Sequence, residues 1–320
     1  MKRKQRIGID LMGSDNAPAA LLSAAASLAS SLPSVTELVA IGTPDCEKNA
    51  TSSGFTFHPA LYAIEMDEHP LLALRRKKQS SLSVGLRLLK EGGLDAFVSA
   101  GNTGALVSAS KMILGTFSKI LRPALLAIMP TKKRPVAVLD VGANIQAKAR
   151  HLVQFAHLGA AYQKARGIEI PRIGILNIGS EASKGTSEIR LAYQKLAKLS
   201  SFAGNIEGKS VFDGEVDVLV TDGFTGNVFL KTAEGIASLV LDRLHAHIPT
   251  AIRGHLDDLQ RHLHYAEHPG ALLCGVKGTV IKCHGYSTPE AFVNGIRGAV
   301  EFATAHFTDI LRQQFDLLHH

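Results

Sequence analysis

Short apolar runs rich in β-branched residues alternate with longer helical patterns along almost the whole chain. The runs predict strands at Arg6–Asp10, Leu38–Gly42, Ala96–Ser99, Ala124–Met129, Val136–Asp140, Ile173–Asn177 and Val216–Val220. The helical patterns cover Ala19–Ser31, Leu82–Glu91, Thr103–Leu114, His151–Arg166, Ser187–Leu199, Thr225–Leu244 and Pro289–Phe315. Strands that are apolar on both faces and separated by helices are typical of a mainly parallel sheet covered on both sides. The pattern therefore predicts a doubly wound α/β fold, formed as one domain over residues 1–320.

One segment, residues 245–268, departs from this alternation. It is rich in histidine and arginine, and its apolar residues Ile252, Leu256, Leu259 and Leu263 form one narrow stripe on a helix. Such a helix either packs on the core or meets a partner subunit, a carrier protein or a membrane surface. The segment contains no HExxH motif, so a metal site is not expected there.

Composition and charge narrow the classes of partner. Hydrophobic residues make up 46% of the 320 residues and charged residues 20%, which is enough apolar material for a globular core. A net charge of +7 attracts nucleic acid, anionic lipid or an acidic protein. The basic residues are scattered, however, and the chain has no tryptophan, so we do not expect a nucleic-acid partner.

The cysteines and the apolar segments indicate the compartment. Three cysteines without CxxC spacing disfavour a disulfide framework or a zinc knuckle and favour a reducing environment. The apolar stretch near the N-terminus stops at Asp10, and no segment reaches the roughly 18 apolar residues of a spanning helix. We expect a cytoplasmic protein.

Five of the predicted strands end in loops of similar composition, which combine glycine with Asn, Asp, Ser or Thr. These loops are residues 10–18, 99–105, 140–144, 177–181 and 221–227. Glycine lets backbone N–H groups approach an anion, and the dipole of the following helix favours negative charge. Any one such loop is equally an ordinary turn or helix cap. Five loops at the carboxyl edge of one sheet predict a shared phosphate-binding pocket.

Several familiar signatures are missing. No GxGxxG motif follows a strand, and the lysine of residues 179–186 precedes the second glycine, unlike that of a Walker loop. No GxSxG nucleophile elbow is present. An enzyme without an obvious covalent nucleophile would let phosphate itself attack.

Taken together, these loops resemble the PlsX family of phosphate acyltransferases. The resemblance runs from Asp10 to about Val293, and its strongest pieces are residues 10–18, 77–81, 97–105, 139–144, 204–208, 221–231 and 280–285. It implies a Rossmann-like three-layer α/β/α fold similar to that of phosphotransacetylases, usually as a homodimer. The implied reaction converts an acyl-acyl-carrier-protein and inorganic phosphate to acyl phosphate and free carrier protein, without a cofactor or metal.

The resemblance also implies a place in phospholipid synthesis. The acyl phosphate would pass to a membrane glycerol-3-phosphate acyltransferase, so peripheral membrane association is expected. The sequence departs from the family pattern at two places. Ser14 stands where the family often has glycine, and residues 266–270 replace a tyrosine- and glycine-rich stretch. The second departure affects membrane docking rather than the chemistry.

Residue roles follow from the chemistry of the loops. We expect phosphate on Gly13, Asn102, Thr103 and Asn144, with Lys184 as the charged contact. Asn227 and the backbone after Thr225 would face the thioester oxygen, and His284 would protonate the departing thiolate. The aspartates at strand ends, Asp10, Asp140 and Asp222, would orient loops within the substrate site by accepting backbone N–H bonds.

Each role has a plain alternative. Lys184 is equally a solvated loop lysine, Asn227 a helix-capping residue and His284 a core histidine. Alternative functions are a phosphotransacetylase that acts on a coenzyme A thioester, and a non-enzymatic module that binds a phospho-ligand or acyl-carrier protein. A nicotinamide dehydrogenase is the weakest alternative because its fingerprint is missing.

Overall fold

The structure, a computed structural model, describes residues 3–29, 31–247, 270–283 and 289–318. The strands are β1 (Gln5–Asp10), β2 (Thr36–Gly42), β3 (Thr56–Pro59), β4 (Ala96–Ser99), β5 (Ala124–Met129), β6 (Val136–Leu139), β7 (Ile173–Asn177), β8 (Phe202–Glu207), β9 (Val218–Val220), β10 (Ala271–Cys274) and β11 (Thr279–Lys282). The helices are α1 (Pro18–Ala29), α2 (Glu47–Ser52), α3 (Pro70–Arg76), α4 (Ser81–Lys90), α5 (Thr103–Ile113), α6 (Ala149–Ala165), α7 (Ser187–Leu196), α8 (Gly223–His247), α9 (Pro289–Thr304) and α10 (Phe307–Leu317). Short 3₁₀ helices lie at Pro44–Cys46 and Gly208–Asp213.

The chain forms two compact units. The first unit comprises Met1–Pro123 and His268–Gln313, and the second comprises Ala124–Glu267 and Gln314–His320. The organisation as one domain that the sequence predicts stays a prediction.

Strands of the first unit follow the order β3-β2-β1-β4-β11-β10. Neighbours are parallel except for the antiparallel pair β10 and β11. The central strand β4 (AFVS) is buried at every position. Helix α4 packs closely over it, since a Cβ at Gly85 would overlap the ring of Phe97. Burial of both faces explains why this strand reads as a continuous apolar run.

Strands of the second unit follow the order β5-β6-β9-β7-β8. Only β5 and β6 run antiparallel in this set of strands. The 17-residue helix α6 buries Phe155 and Tyr162 on the sheet, and a Cβ at Gly159 would overlap the side chain of Val218. The mainly parallel, Rossmann-like α/β class predicted from the sequence is confirmed.

Three expectations about single elements were wrong. The helix predicted over Pro289–Phe315 is two helices, because His306 adopts a positive φ of 48° that ends α9 before α10 begins. The strand predicted at Val216–Val220 begins only at Val218, and the helix predicted to end at Leu199 ends at Leu196. The amphipathic helix predicted for residues 245–268 lies outside the described residues, except that His247 ends α8.

No helix among the described residues combines the length and hydropathy needed to cross a bilayer.

Candidate functional site

In the first unit, the loops that follow β1 and β4 are joined by a hydrogen bond between two side chains. Ile9 lies opposite Val98 in parallel register, so the next residues, Asp10 and Ser99, are neighbours. The Ser99 hydroxyl donates to Asp10 Oδ2 at 2.8 Å. The Met12 backbone N–H donates to Asp10 Oδ1 at 3.1 Å. Asp10 therefore fixes both loops, as expected for a loop-orienting aspartate.

Gly13 brings the first loop against the second. Its φ of +71° suits glycine, and a Cβ there would press on the carbonyl oxygen of Ile64 at 2.5 Å and lie 3.7 Å from the Cα of Gly101. The Gly101 backbone N–H in turn donates to the Ser99 hydroxyl at 3.1 Å. Of the predicted phosphate contacts, Gly13 and the loop that carries Asn102 and Thr103 thus lie together.

Asp10 is a buried carboxyl group with a perturbed pKa. It is 1% exposed, and burial raises its pKa to about 6 although hydrogen bonds from Ser99 and Ser81 act in the opposite direction. The buried ammonium of Lys282 also lowers this pKa. Lys282 Nζ donates to the carbonyl of Ala100 at 3.2 Å and to that of Cys283. Lys282 is therefore a cation built into the frame of the second loop.

Asn102 uses its side chain to hold the chain around it. Its Nδ2 lies 3.1 Å from each of the carbonyl oxygens of Glu65, Met66 and Glu68 and shares its two hydrogens among them. Its Oδ1 accepts from the Ala105 N–H at 3.0 Å and so caps α5. The sequence assigned this amide to phosphate, but here its donors serve the fold.

The start of α5 still offers hydrogen-bond donors. The backbone N–H groups of Thr103 and Gly104 have no acceptor among the described residues. Such orphan groups at a helix N-terminus form a favourable site for an anion. In this loop the backbone, rather than the amide of Asn102, is available to phosphate.

In the second unit, Asp140 organises the loop after β6. Its Oδ1 accepts from the N–H groups of Leu125, Gly142 and Ala143, at 3.0, 3.2 and 3.0 Å. Its Oδ2 accepts from the backbone N–H of Asn144 at 2.6 Å and from Asn144 Nδ2 at 2.8 Å. The carboxylate is fully buried, and burial raises its pKa. A carboxylate with five donors holds a loop and has no capacity left for substrate.

This loop is tied to the start of α8. The Gly223 N–H donates to the carbonyl of Asn144 at 2.8 Å. A Cβ at Gly226 would overlap the carbonyl oxygen of Asp140, so only glycine allows this close approach. The loops after β6 and β9 are therefore one rigid assembly.

Asp222 and Thr225 form the cap of α8. Asp222 Oδ1 accepts from the Thr225 N–H, and Asp222 Oδ2 accepts from the Thr225 hydroxyl, both at 2.9 Å. The Gly226 N–H donates to the Asp222 carbonyl at 2.9 Å. The N–H directly after Thr225 is therefore occupied within the cap, and the role that the sequence gave to this backbone stays a prediction. The N–H of Phe224, one residue earlier, has no acceptor among the described residues.

Asn227 differs from the other candidate amides. It lies in the first turns of α8 and is partly exposed. A Cβ at Gly142 would lie 3.9 Å from Asn227 Oδ1, so the side chain borders the loop after β6. Its amide makes no hydrogen bond to any described residue, and the cap of α8 is Asp222 instead. A neutral donor without a partner suits a carbonyl oxygen that gains charge.

Lys184 belongs to the loop after β7, which two buried amides hold in place. Asn177 Nδ2 donates to the Lys184 carbonyl at 3.2 Å, and Asn205 Nδ2 donates to the Glu181 carbonyl at 2.7 Å. The Lys184 side chain is 47% exposed, and its Nζ lies 3.9 Å from Glu181 Oε1. A weak, exposed ion pair leaves the ammonium free to contact an anion.

The structure therefore brings the predicted residues together in two groups. The first unit groups Asp10, Gly13, Asn102 and Thr103, and the second groups Asp140, Asn144, Asp222, Thr225 and Asn227, with Lys184 after the adjoining strand β7. His284 lies outside the described residues. Lys282 and Asn205 are further buried polar residues of these loops, and neither had a role predicted from the sequence. A lysine within the apolar strand Thr279–Lys282 is the signal that would have identified the first of them.

Comparisons with known proteins identify the family. The model of a family described as fatty acid synthesis protein matches residues 5–309. The chain is 41% identical to a phosphate acyltransferase of Chlamydia caviae, with 94% of this chain and 96% of the relative covered. It is 42% identical to a phosphate acyltransferase of Thermotoga petrophila, with 92% of this chain and 90% of the relative covered.

Solved structures support the fold. A phosphotransacetylase from Streptococcus pyogenes superimposes with a TM-score of 0.62 at 19% identity, covering 93% of this chain and 94% of that one. A branched-chain phosphotransacylase from Enterococcus faecalis superimposes with a TM-score of 0.59 at 13% identity, covering 94% of this chain and 99% of that one. Because the family model and the relatives span nearly the whole chain, the chain belongs to the fatty acid synthesis protein family and is an acyltransferase of the PlsX phosphate acyltransferase group, which transfers acyl groups with phosphate in lipid synthesis.

Proposed function

We propose that the enzyme transfers the acyl group of an acyl-acyl-carrier-protein to inorganic phosphate and releases acyl phosphate and free carrier protein. The observation that carries this proposal is the uncommitted amide of Asn227 beside a loop whose polar side chains are otherwise occupied. A donor without a partner in a rigid frame suits the oxyanion that forms when a thioester carbonyl is attacked.

The reaction needs no covalent enzyme intermediate. A phosphate oxygen attacks the carbonyl carbon, a C–O bond forms, and the C–S bond breaks as the tetrahedral intermediate collapses. The departing thiol has a pKa of about 8.5, so it leaves without strong acid help. Asn227 and the N–H of Phe224 donate to the oxyanion, and His284 gives the thiolate its proton.

Each unit offers its own donors to phosphate in this proposal. In the first unit they are the backbone at Gly13 and the orphan N–H groups of Thr103 and Gly104 at a helix start. In the second unit they are the ammonium of Lys184 and the loop of Asn144. The amide donors of Asn102 and Asn144 act indirectly, by fixing the loops.

The decisive experiment measures thiol release from long-chain acyl-acyl-carrier-protein with and without inorganic phosphate. Phosphate-dependent release, with an equal amount of acyl phosphate trapped by hydroxylamine, is the expected result. Faster turnover of acyl-coenzyme A would favour a phosphotransacetylase activity. Binding of the carrier protein without turnover would favour a recruitment module.

Two substitutions test the map of the site. Lys184→Ala should raise the KM for phosphate about tenfold or more, the loss of one charge-assisted contact. Asn227→Ala should lower kcat. If both variants keep kcat/KM within about threefold of the parent, a change below the roughly 1 kcal/mol of one hydrogen bond, the map is wrong.

We also propose that the enzyme is a homodimer. Helix α8 exposes Ile236, Leu239 and Val240 at a spacing that places them on one face, with 57, 54 and 48% of their surface accessible. A second copy of the chain would cover this face. Light scattering should give twice the chain mass, and Leu239→Glu should reduce it to that of the monomer.

Coupling to the membrane completes the proposal. An acyl phosphate is reactive and amphiphilic, so direct transfer to a membrane glycerol-3-phosphate acyltransferase would protect it from water. A net charge of +7 favours peripheral association of a cytoplasmic enzyme with anionic lipid. Co-sedimentation with anionic and neutral vesicles tests this, and equal binding to both would argue against it.

A further inference from the structure

Three neighbouring strand ends of the second unit carry strongly exposed apolar side chains. Ile145 is 71% exposed, Ile178 is 84% exposed and Phe224 is 64% exposed. They follow directly after Asn144, Asn177 and Gly223 respectively, in the loops after β6, β7 and β9. Each apolar side chain therefore adjoins a residue that organises one of the polar loops.

Backbone pairing shows that these positions are adjacent. The Gly223 N–H donates to the carbonyl of Asn144 at 2.8 Å, so the following residues, Phe224 and Ile145, start from one hydrogen-bonded junction. Strand β7 runs parallel to β9 with Ile175 opposite Val220. The carboxyl ends of β7 and β9, from which the loops of Ile178 and Phe224 leave, therefore lie side by side. Neighbouring strands lie about 5 Å apart, so the three loops leave strand ends that lie within roughly 10 Å of one another.

Helix α8 extends this apolar surface towards Asn227. Val228 lies one turn after Phe224, on the same helix face, and is 49% exposed. We name Ile145, Ile178, Phe224 and Val228 the apolar rim. Single exposed apolar residues are common on protein surfaces, but four at adjoining positions beside a polar loop indicate a ligand with an apolar part.

We propose that the apolar rim binds the first methylene groups of the acyl chain in the thioester substrate. This inference rests on the proposed function, in which Asn227 faces the thioester oxygen. The alkyl chain begins at that same carbonyl carbon, so an apolar surface that starts at Val228 lies where its first methylenes leave the carbonyl. Contact with the rim removes apolar surface of both partners from water.

The test compares chain-length dependence in two loop variants. Ile145→Ser and Ile178→Ser replace exposed side chains, so neither substitution costs core packing. The matched control is Ile170→Ser, because Ile170 is 72% exposed and precedes β7 at the opposite end of that strand. For each protein, kcat/KM is measured with acyl-carrier protein loaded with acyl chains from short to long, at saturating phosphate.

The double variant Ile145→Ser/Ile178→Ser should lose about tenfold in kcat/KM on long chains, the effect of removing roughly two buried methylenes. Activity on an acetyl group, which has no methylene to contact the rim, and the KM for phosphate should stay unchanged, and Ile170→Ser should behave as the parent. An equal loss at all lengths, or none, overturns the proposal. So does a fall in molar mass by light scattering with an unchanged chain-length profile, which would make the rim a subunit contact. Absence of acyl phosphate formation by the parent enzyme would instead refute the proposed function.

Discussion

The two groups of strand-end loops use the same residue types for different purposes. In the first unit the amide of Asn102 makes four hydrogen bonds to the surrounding backbone, so none of its polar atoms is left for a ligand. The buried Lys282 donates to the backbone of the same loop. In the second unit Asp140 takes up the loop's N–H groups, and the amide of Asn227 keeps no partner among the described residues. The number of internal partners, rather than the residue type, separates structural side chains from those available to substrate.

The substitution with the largest expected effect is Asp140→Ala. It leaves five donors in a buried loop without their acceptor, so the free energy of unfolding should fall by at least about 4 kcal/mol. Urea denaturation measures this change. A loss below about 1 kcal/mol, that of a single ordinary hydrogen bond, would mean that Asp140 does not hold the loop.

A pair of asparagine variants tests the contrast directly. Asn227→Ala should lower kcat/KM on the order of a hundredfold, as the loss of one oxyanion donor does, with an unchanged midpoint of thermal unfolding. Asn102→Ala should instead lower the free energy of unfolding by about 2–3 kcal/mol, because three carbonyls and a helix cap lose their partner. If the two variants exchanged these effects, the division between the loop groups would be wrong.

The pH dependence of stability tests the burial of Asp10. Its pKa is raised to about 6 in the folded state, so the folded protein binds this proton more tightly than the unfolded chain does. Its contribution to stability is therefore full below the ordinary aspartate pKa of 3.8 and is lost as the pH rises through the folded-state pKa of about 6. The loss amounts to roughly 3 kcal/mol at about 1.4 kcal/mol for each tenfold change in proton affinity.

The control for this experiment is Asp10→Asn. The free energy of unfolding of both proteins is measured by urea denaturation at several pH values between 3.8 and about 6. The difference between the two proteins isolates the contribution of Asp10, because they share all other titratable groups. The difference in stability between parent and variant should shift in favour of the variant as the pH rises. A difference that does not change with pH would show that the carboxyl group titrates normally.

The smallest effect is expected for Asp222→Ala. This side chain caps α8 with two hydrogen bonds at an exposed position, and such caps contribute about 1 kcal/mol. Thermal unfolding and kcat/KM should both be measured, because the loss of the cap also loosens the helix that carries Asn227. An effect as large as that of Asp140→Ala would place Asp222 in the same buried network.

The alternation of apolar runs was sufficient to predict most of the sheet. The predicted and observed bounds of strands such as Ala96–Ser99 and Ile173–Asn177 agree residue for residue. These strands are buried on both faces, so their sequences are mainly apolar runs that are easy to recognise. The strand Phe202–Glu207 was not predicted, since it is only partly buried and carries polar residues. The break at His306 depends on a left-handed residue that is not glycine, which has no reliable signal in one sequence.

The sequence predicted which loops form the candidate site, but not which of their side chains are available to a ligand. Glycine and polar residues at strand ends identified the loops, because parallel strands share a carboxyl edge. The sequence did not show which asparagine side chain would form its hydrogen bonds within the protein and which would keep its amide available to a ligand. The partners of Asn102 are backbone carbonyls more than 30 residues away, and periodicity carries no information about such contacts.

Helix α8 has a mechanical consequence. Its 25 residues make a rod about 37 Å long, and its first N–H group is bonded to the loop of Asn144. The close approach of Gly226 to Asp140 holds the same end of the rod a second time. Asn227 follows Gly226 directly, so the backbone that carries the proposed oxyanion donor is anchored at two neighbouring points although its amide has no partner of its own among the described residues.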